Sequence, residues 1–476
     1  MIPVARRVAV LLSFTSLWAC GPTTEPAGPE ASPAPGAEVL GETQETLSCP
    51  PLSEGSQFGS CPELCTVVNR LPLPLPQASL SRNILATALD VKLATLSATA
   101  TIQVSPSVAT GLSLKVGDLV ITGVRSRCGT LKYTVQDGQL DIGLPVWASS
   151  VIIDYTFSET PDFDGYLPNG STFTWPSFCE NLYPCHPALA DGVKFSLKVG
   201  NLPAGKKAVY PTQIPGDAPA YMLAWAVGDY TELPLGATTA GTQVSVWHLP
   251  GEAAVATSGT LHLKAAVDFF EKQYGPYTFG RKVGSVSANW GPGAYGGMEH
   301  HPYWHVASDA MDDKLVHQHE AAHGWYGNGV RIQCWEDFVL SEGTAEYLTA
   351  RSVRATEGAE AEAAVWVQWT GELERAVSRG DTLALPDSTC NAIDILTHPL
   401  WSNIPYKKGA FFYRALEKQI GTAAIDRVLS RFYRQHVGGT ARMQDLLDLV
   451  KAETGQDPTP LANAWLRSLG IPAETP

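Results

Sequence analysis

The chain has 476 residues, enough for two or three domains with hydrophobic cores of their own. Hydrophobic residues make up 44% and charged residues 17%, which is the balance of a globular protein and not of a disordered one. The formal net charge of -14 argues against nucleic acid and anionic membrane surfaces as electrostatic partners.

Residues 1–20 are typical of a secretory signal. Arg6 and Arg7 precede a mostly apolar stretch, 8–18, that is too short to cross a bilayer as a helix. The tetrapeptide Leu-Trp-Ala-Cys that ends at Cys20 is similar to a bacterial lipobox, in which cleavage leaves the cysteine to carry acyl chains. We expect an exported bacterial lipoprotein, anchored to a membrane through Cys20 in the periplasm or at the cell surface. Ordinary cleavage with a free N-terminus is the alternative.

The cysteine count also indicates export. Eight of the nine cysteines remain when Cys20 is set aside, and an even number in an exported chain predicts disulfide bonds. A zinc ribbon is not supported, because the chain has no CxxC pair. The sequence does not determine the pairing. The pairs that are nearest in sequence, or that would join two parts of the C-terminal half, are Cys61/Cys65, Cys179/Cys185 and Cys334/Cys390.

The segment that follows the signal, 21–60, is predicted to be a disordered tether, because it is rich in Pro, Ala, Gly, Thr and Glu and poor in core-forming residues. From 61 to 256 the pattern becomes strand-like. Segment 98–104 alternates apolar and polar residues, and 119–122 and 151–155 are short apolar runs between turns. Several short strands with frequent turns predict an N-terminal antiparallel β-sandwich.

Residues 257–476 show helical periodicity instead, and the change of class predicts a second, mostly α domain. The Gly-rich segment 283–298 is predicted to be strand and loop. The whole chain is therefore expected to be an α+β multidomain protein. Helices are predicted over 261–274, 311–327, 342–356, 360–378 and most of 409–469.

A candidate zinc site lies in a histidine-rich stretch of this second domain. His319 and His323 flank Glu320 in an HExxH pattern, and residues four apart on a helix lie on one face, where two imidazoles can share a zinc ion. Glu320 is rotated off that face and can reach a water molecule beside the metal. Glu342, after 18 further residues, opens a second helical run and can be the third ligand. Glu346, one turn later, can orient a ligand imidazole.

Several motifs together resemble the gluzincin metallopeptidases of the aminopeptidase N type. The run HEAAHGWYGN at 319–328 is followed by LSEG at 340–343, as HExxH in that family is followed after 18 residues by the glutamate of an NEG triplet. The segment GGMEH at 296–300 resembles the GAMEN exopeptidase motif, and PYKKG at 405–409 resembles the catalytic tyrosine segment. His300, Gly297 and Ser341 depart from the family pattern.

The resemblance implies a thermolysin-like catalytic domain with one zinc ion and peptides as substrates. Glu320 is then the general base, Tyr406 stabilises the oxyanion, and Glu299 binds the free α-amine, so the enzyme removes N-terminal amino acids. A short form without the C-terminal helical domain of many relatives is expected, and its cleft is more open. The residues that the resemblance assigns to peptide binding are Gly296, Gly297, Met298 and Glu299.

Two other functions remain open at this point. The first is an endopeptidase, or a peptidase that processes long polypeptides, which an open cleft would suit. The second is a non-catalytic surface lipoprotein that uses its sandwich to bind a partner. The intact set of zinc ligands and Glu320 argues against the second, since a site that only binds has no need of a general base.

Overall fold

The N-terminal segment of the chain, with the predicted signal, all of the predicted tether and Cys20, Cys49, Cys61 and Cys65, lies outside the described residues. Among the residues that are described, no helix has both the length and the apolar character needed to cross a membrane. The computed structural model describes residues 82–107, 111–146, 148–291 and 295–473.

The first half of the described chain consists mainly of strands. Those predicted over 98–104, 119–122 and 151–155 correspond to the second, fourth and eighth strands, within one to four residues at each end. The strands of this half are β1 (Ile84–Lys92), β2 (Ser97–Val104), β3 (Gly111–Lys115), β4 (Val120–Ser126), β5 (Gly129–Thr130), β6 (Tyr133–Gln136), β7 (Gln139–Gly143), β8 (Ser150–Thr156), β9 (Gly165–Tyr166), β10 (Thr172–Phe173), β11 (Val193–Gly200), β12 (Lys207–Val209), β13 (Gln213–Ala218) and β14 (Ala226–Gly228).

Two of the sheets in this half pack face to face. The larger has the order β13-β11-β1-β2-β8-β4-β5, and the smaller has the order β3-β7-β6. Alternate residues of β2 and β8, such as Ile102 and Ile153, are buried against Leu114 and Ile142 of the smaller sheet in one apolar core. The predicted β-rich N-terminal region is therefore confirmed. Its strand pairs are antiparallel with one exception in the large sheet, since β1 and β11 run parallel.

The second half contains a smaller number of strands and the long helices. Its strands are β15 (Thr231–Ala237), β16 (Gln243–His248), β17 (Lys282–Ala288), β18 (Gly297–Met298), β19 (Tyr303–Ala307), β20 (Arg331–Ile332) and β21 (Thr440–Ala441). Its helices are α1 (Ala253–Gly259), α2 (Leu263–Gln273), α3 (Lys314–Ala322), α4 (Phe338–Glu357), α5 (Ala359–Arg379), α6 (Asn403–Ile420), α7 (Thr422–His436), α8 (Met443–Thr454) and α9 (Thr459–Trp465).

Two strands that precede the boundary expected between 256 and 257 join the sheet of the second half. The sheet of the second half has the order β15-β16-β17-β19-β18, with β16 parallel to β17. Val244 and Val246 of β16 belong to the same apolar core as the helices. The sequence did not predict this grouping of β15 and β16, because alternating residues identify a strand but not the sheet that it joins.

A close crossing of α4 and α6 supports the centre of the second half. Gly343 and Gly409 face each other there, and a Cβ atom on either one would lie 2.7 Å or less from the Cα atom of the other. No side chain fits between these backbones. The crossing thus holds the residues that flank Gly343 on α4 close to the first turns of α6.

The start of α6 is also tied to the C-terminal part of the chain. Lys408 is completely buried. Its Nζ donates to Asp381 Oδ1 at 2.9 Å and to the backbone carbonyl of Ser468 at 3.0 Å. A buried ammonium requires such partners, so these contacts fix the segment after α9 beneath α6.

The described residues contain two disulfide bonds, Cys179–Cys185 and Cys334–Cys390, and both are among the candidate pairs that the sequence left open. The second anchors the loop between α5 and α6. The buried carboxylate of Glu336 also holds this loop, because it accepts backbone N–H groups from each of the three residues that follow Cys390. Trp401, at the end of the loop, lines a cavity that is also lined by His319 and Glu342.

Candidate metal centre and active site

The two histidines of the HExxH pattern lie together at the end of α3. Asp313 caps the start of this helix, since its Oδ1 accepts the backbone N–H of Leu315 at 2.8 Å. The helix ends at Ala322, and His323 continues the same turn. As predicted from their spacing, the Nε2 atoms of His319 and His323 lie 3.0 Å apart.

Glu342 completes the triad from α4. This helix begins at Phe338, so Glu342 lies in its second turn and does not open it as expected; apolar residues before Glu342 are buried and extend the helix. Its Oε2 lies 3.2 Å from His319 Nε2 and 3.3 Å from His323 Nε2. Tetrahedral ligands at about 2.0–2.1 Å from zinc are separated by about 3.3 Å. The three donor atoms therefore fit one zinc ion.

The ring of His323 is fixed by its other nitrogen. Nδ1 lies 3.0 Å from the carbonyl oxygen of Tyr326, and a carbonyl can accept only from a protonated nitrogen. Nε2 is then left with its lone pair toward the triad. Gly327, with φ at 109°, makes room for this arrangement, since a Cβ atom there would lie 2.5 Å from Nδ1.

The charges around the triad favour a cation. Burial opposes the ionised form of Glu342, but His323 and His319 outweigh it and lower the pKa of Glu342 to about 2. Burial likewise opposes the protonated form of His323, yet Glu342, Glu299 and Glu320 together raise the pKa of that imidazole to about 10. A site in which carboxylates force a proton onto an imidazole has a strongly negative potential, which complements a divalent metal ion.

Glu320 lies beside the triad and is only 5% exposed. Its Oε2 has no hydrogen-bond partner among the described residues. Burial, followed by the neighbouring carboxylates, raises the pKa of Glu320 well above the usual range. Gly297 packs directly on this side chain, because a Cβ atom at Gly297 would lie 2.5 Å from Glu320 Cγ. The glycine that departs from the family motif is thus the residue that leaves room for Glu320.

Glu299 lies on the same cavity wall as Gly296, Gly297 and Met298. One carboxylate oxygen of Glu299 and one of Glu320 are within 4.8 Å of each other and of a His323 ring nitrogen. The backbone of Glu299 is held by a chain of hydrogen bonds that the sequence analysis did not identify. Tyr221 donates to Asn328 Oδ1 at 2.7 Å, and Asn328 Nδ2 donates to the Glu299 carbonyl at 2.7 Å.

His300, which replaces the asparagine of the family motif, does not line the cavity. It is buried against the β-rich half, where its Nε2 lies 3.2 Å from Thr174 Oγ1 and its ring meets Phe173 edge-on. Burial lowers the pKa of His300 well below its ordinary value, so the ring is neutral. The side chain at this position therefore packs against the β-rich half and does not enter the cavity.

Tyr406 lies in the first turn of α6 and lines the cavity next to the triad. Its ring stacks on that of His319, with the ring centroids 5.9 Å apart and an angle of 23° between the planes. Burial and then the charge of Glu342 raise the pKa of the phenol well above 10. Tyr406 consequently keeps its proton and can donate a hydrogen bond into the cavity.

Glu346 has a different partner from the one expected. Its Oε1 accepts a hydrogen bond from Lys407 Nζ at 2.7 Å, and no described contact joins it to a ligand imidazole. Lys407 and a second carboxylate beside it, Glu372, also line the cavity and were not identified from the sequence. Lys407 lies inside the PYKKG segment, but only the crossing of α4 and α6 brings it to Glu346.

A second group of potential metal ligands, Cys334, Glu336 and Cys390, has another role. The two cysteines are joined in a disulfide, and the Glu336 carboxylate is occupied by backbone N–H groups. Of these two groups in the described residues, the histidine triad is thus the one that is available to a metal ion.

Comparisons with known proteins agree with the motifs. Residues 300–465 match the Peptidase family M1 domain. The chain is 27% identical over 326 residues to aminopeptidase M1-B of Oryza sativa subsp. japonica, and 28% identical over 155 residues to aminopeptidase N of Streptomyces lividans. These alignments cover 61% and 32% of this chain, but they span only 36% and 18% of the relatives' own lengths.

Solved structures show the same fold. An M1 zinc metallopeptidase from Deinococcus radiodurans has a TM-score of 0.69 at 17% identity, with 83% of this chain and 96% of that chain covered. Yeast LTA4 hydrolase in complex with bestatin has a TM-score of 0.68 at 18% identity, with 86% and 72% covered. The expected architecture, a β-rich domain before a helical catalytic domain, is confirmed, as is the resemblance to the aminopeptidase N family.

Proposed function

We propose that this chain, a relative of the aminopeptidase N peptidases, removes N-terminal amino acids from peptides with one zinc ion as its cofactor. The observation that carries the proposal is the triad of His319, His323 and Glu342, whose donor atoms are 3.0–3.3 Å apart. The cavity that contains the triad also holds Glu320 and Glu299. One triad of this geometry has room for one ion.

His319 Nε2, His323 Nε2 and Glu342 Oε2 would hold the metal. When bound, zinc lowers the pKa of a water molecule and polarises the scissile carbonyl group. The Tyr326 carbonyl keeps the His323 ring in the tautomer that a ligand needs.

Glu320 acts as the general base. Its unpartnered oxygen is free to accept the proton of the attacking water, and the same carboxyl group then donates that proton to the leaving amine. Burial favours this exchange, because it raises the pKa of Glu320 above its ordinary value and so makes the carboxylate a stronger proton acceptor.

Tyr406 stabilises the negative charge that develops on the carbonyl oxygen. Its phenol remains protonated, so it can donate a hydrogen bond as that charge forms. Stacking on His319 supports this role, because the contact keeps the ring beside the triad and limits its rotation.

Glu299 binds the α-ammonium group of the substrate and thereby selects the end of the peptide. A carboxylate so close to Glu320 and His323 can hold the amine one residue away from the bond that is cleaved. The hydrogen bonds from Tyr221 through Asn328 keep Glu299 in place.

The decisive experiment compares leucine 4-methylcoumarin amide with its N-acetyl form, with and without a zinc chelator. We expect hydrolysis of the free amine substrate alone, and loss of that activity with the chelator. The Glu320→Gln variant should retain its zinc and lose about 10²- to 10⁴-fold in kcat. Equal hydrolysis of the acetylated substrate would instead support the endopeptidase alternative.

The export of the chain and a lipid anchor at Cys20 are part of the same proposal. The two disulfides of the described residues support an oxidising compartment. Replacing Cys20 by serine should move the protein from the membrane fraction to the soluble fraction. Retention in the membrane fraction would reject the anchor.

A further inference from the structure

One part of the cavity wall takes no part in this chemistry. It consists of Glu346 on α4, Trp369 and Glu372 on α5, and Lys407 on α6, all of which line the same cavity as the triad. We call the set of Glu346, Trp369 and Glu372 the cation subsite, because together they surround a single ammonium group.

The occupant of the cation subsite is the ammonium group of Lys407. Its Nζ lies 2.7 Å from Glu346 Oε1, 2.8 Å from Glu372 Oε2 and 4.4 Å from the centre of the Trp369 ring. Lys407 is 3% exposed, so both ion pairs and the cation–π contact are shielded from water. Gln368 Nε2 supports the arrangement, since it donates to the other oxygen of Glu372 at 2.9 Å.

Two carboxylates and the face of a tryptophan are the groups with which proteins recognise lysine and arginine side chains in their ligands. The cation subsite has this composition, and it opens on a cavity that is proposed to bind peptides. Here, however, the cation is supplied by the chain itself. A basic side chain of a substrate would meet an ammonium group of like charge at this wall.

We infer that Lys407 is a specificity residue that fills a cation subsite of the peptide-binding cavity and so excludes basic substrate side chains from it. The inference rests on the proposed peptidase function. With Lys407 present, two carboxylates and one ammonium leave a net charge of -1. Without Lys407 the charge would be -2, beside a space the size of a lysine side chain.

The Lys407→Ala variant tests this by a gain of activity. The substrates are matched pairs in which arginine is exchanged for citrulline, an uncharged analogue of similar shape, either at the first residue of the peptide or at the second. The ratio of kcat/KM for the arginine peptide to that for the citrulline peptide should rise at least about tenfold over the ratio of the unmodified protein, at one of these positions.

Two further variants locate the effect. Adding Glu372→Gln to Lys407→Ala should remove most of the gain, because it removes one carboxylate of the cation subsite. Lys407→Met keeps the space filled without the charge, and its ratio should rise less than that of Lys407→Ala. A ratio within twofold of the unmodified protein at both positions, in zinc-loaded Lys407→Ala, overturns the inference.

The Lys407→Ala variant loses stability, since it leaves two carboxylates without their partner. Ethylammonium chloride provides a second measurement, because this cation should raise the melting temperature of the variant more than that of the unmodified protein. An equal effect on both proteins also counts against the inference. Hydrolysis of leucine 4-methylcoumarin amide tests the proposed function separately, since this substrate has no basic side chain.

Discussion

Glu342 and Glu346 lie one turn apart on α4 and line two ends of the same cavity, the triad and the cation subsite. Both carboxylates are buried, but their negative charges are balanced in different ways. At the cation subsite, the buried charge of Glu346 is balanced by Lys407. At the triad, the ion-pair partners of Glu342 among the described residues are two imidazoles, which must be neutral to bind a metal. A buried carboxylate requires a counter-charge. The chain supplies a permanent counter-charge at the cation subsite, and a bound metal ion would supply it at the triad.

The largest expected effect comes from removing the carboxylate of Glu342, which breaks the comparison on the side of the triad. Glu342→Gln should reduce the zinc content from about one ion per chain to almost none, and abolish activity, because the carboxylate is one of three ligands. The matched change one turn later, Glu346→Gln, should retain zinc and lose less than about tenfold in metal affinity, since Glu346 bonds Lys407 and not an imidazole. Metal analysis of both purified variants gives the answer, and equal zinc loss would contradict it.

A smaller effect is expected from Tyr406, which stacks on His319 of the triad and precedes Lys407 in the sequence. Tyr406→Phe should lower kcat by about 10²- to 10³-fold with little change in KM, because the lost hydrogen bond forms mainly in the transition state. Zinc content should stay normal, which separates this variant from Glu342→Gln. Steady-state kinetics on an amino-acyl coumarin amide provides the measurement. An unchanged kcat would remove Tyr406 from the mechanism.

The crossing of α4 and α6 holds the triad and the cation subsite in fixed relative positions. Adding a methyl group at Gly343 tests how closely the two helices pack. Gly343→Ala should lower the free energy of unfolding by about 1–3 kcal/mol, because its Cβ would lie 2.7 Å from the Gly409 Cα atom. Gly371→Ala on α5 is the control, since its Cβ would approach only the flexible end of Arg375. That variant should be neutral or slightly stabilised. Denaturant unfolding of the two variants decides, and equal stability would reject a tight crossing.

The smallest expected effect is a difference in the pH at which the cation subsite and the triad lose their interactions. Burial opposes the ionised form of Glu372, but Lys407 outweighs it and lowers the pKa of Glu372 below that of the unfolded chain. The ion pair therefore contributes its full stability above about pH 4.3, the unfolded value, and loses it as the pH falls through the lower folded value. Zinc should leave at a higher pH, because its histidine ligands must be neutral.

Thermal unfolding at several pH values, together with zinc release, checks this order. The difference in melting temperature between the unmodified protein and Glu372→Gln should stay constant from pH 8 to pH 5 and shrink below about pH 4.3. A difference that already falls between pH 7 and pH 5 would show that Lys407 does not protect Glu372.

The features that the sequence predicted well are those fixed by local spacing. Two histidines four residues apart share a helix face in any α-helix, and alternating burial appears in β2 and β8 as the pattern indicates. The HExxH and LSEG motifs located the triad for the same reason. Local spacing does not determine where a helix begins, because the start depends on how the preceding residues pack. For this reason the sequence predicted a helix that starts at Glu342, whereas α4 starts at Phe338.

The features that the sequence did not predict depend on contacts between distant segments. Nothing near Glu346 indicates that Lys407 is its partner, since the contact arises where α4 and α6 cross. The pairing of β16 with β17, which brings β16 into the sheet of the second half, is of the same kind. The position of His300 is another, because its partner Thr174 belongs to the β-rich half.

The contact between Lys408 and the Ser468 carbonyl makes the cavity depend on a segment 60 residues further along the chain. Tyr406, which lines the cavity, lies two residues before Lys408 in the first turn of α6. Proteolytic removal of the segment after α9 would leave the buried ammonium group without one of its acceptors. A cut in that segment would thus loosen the turn that holds Tyr406 and leave His319, His323 and Glu342 intact.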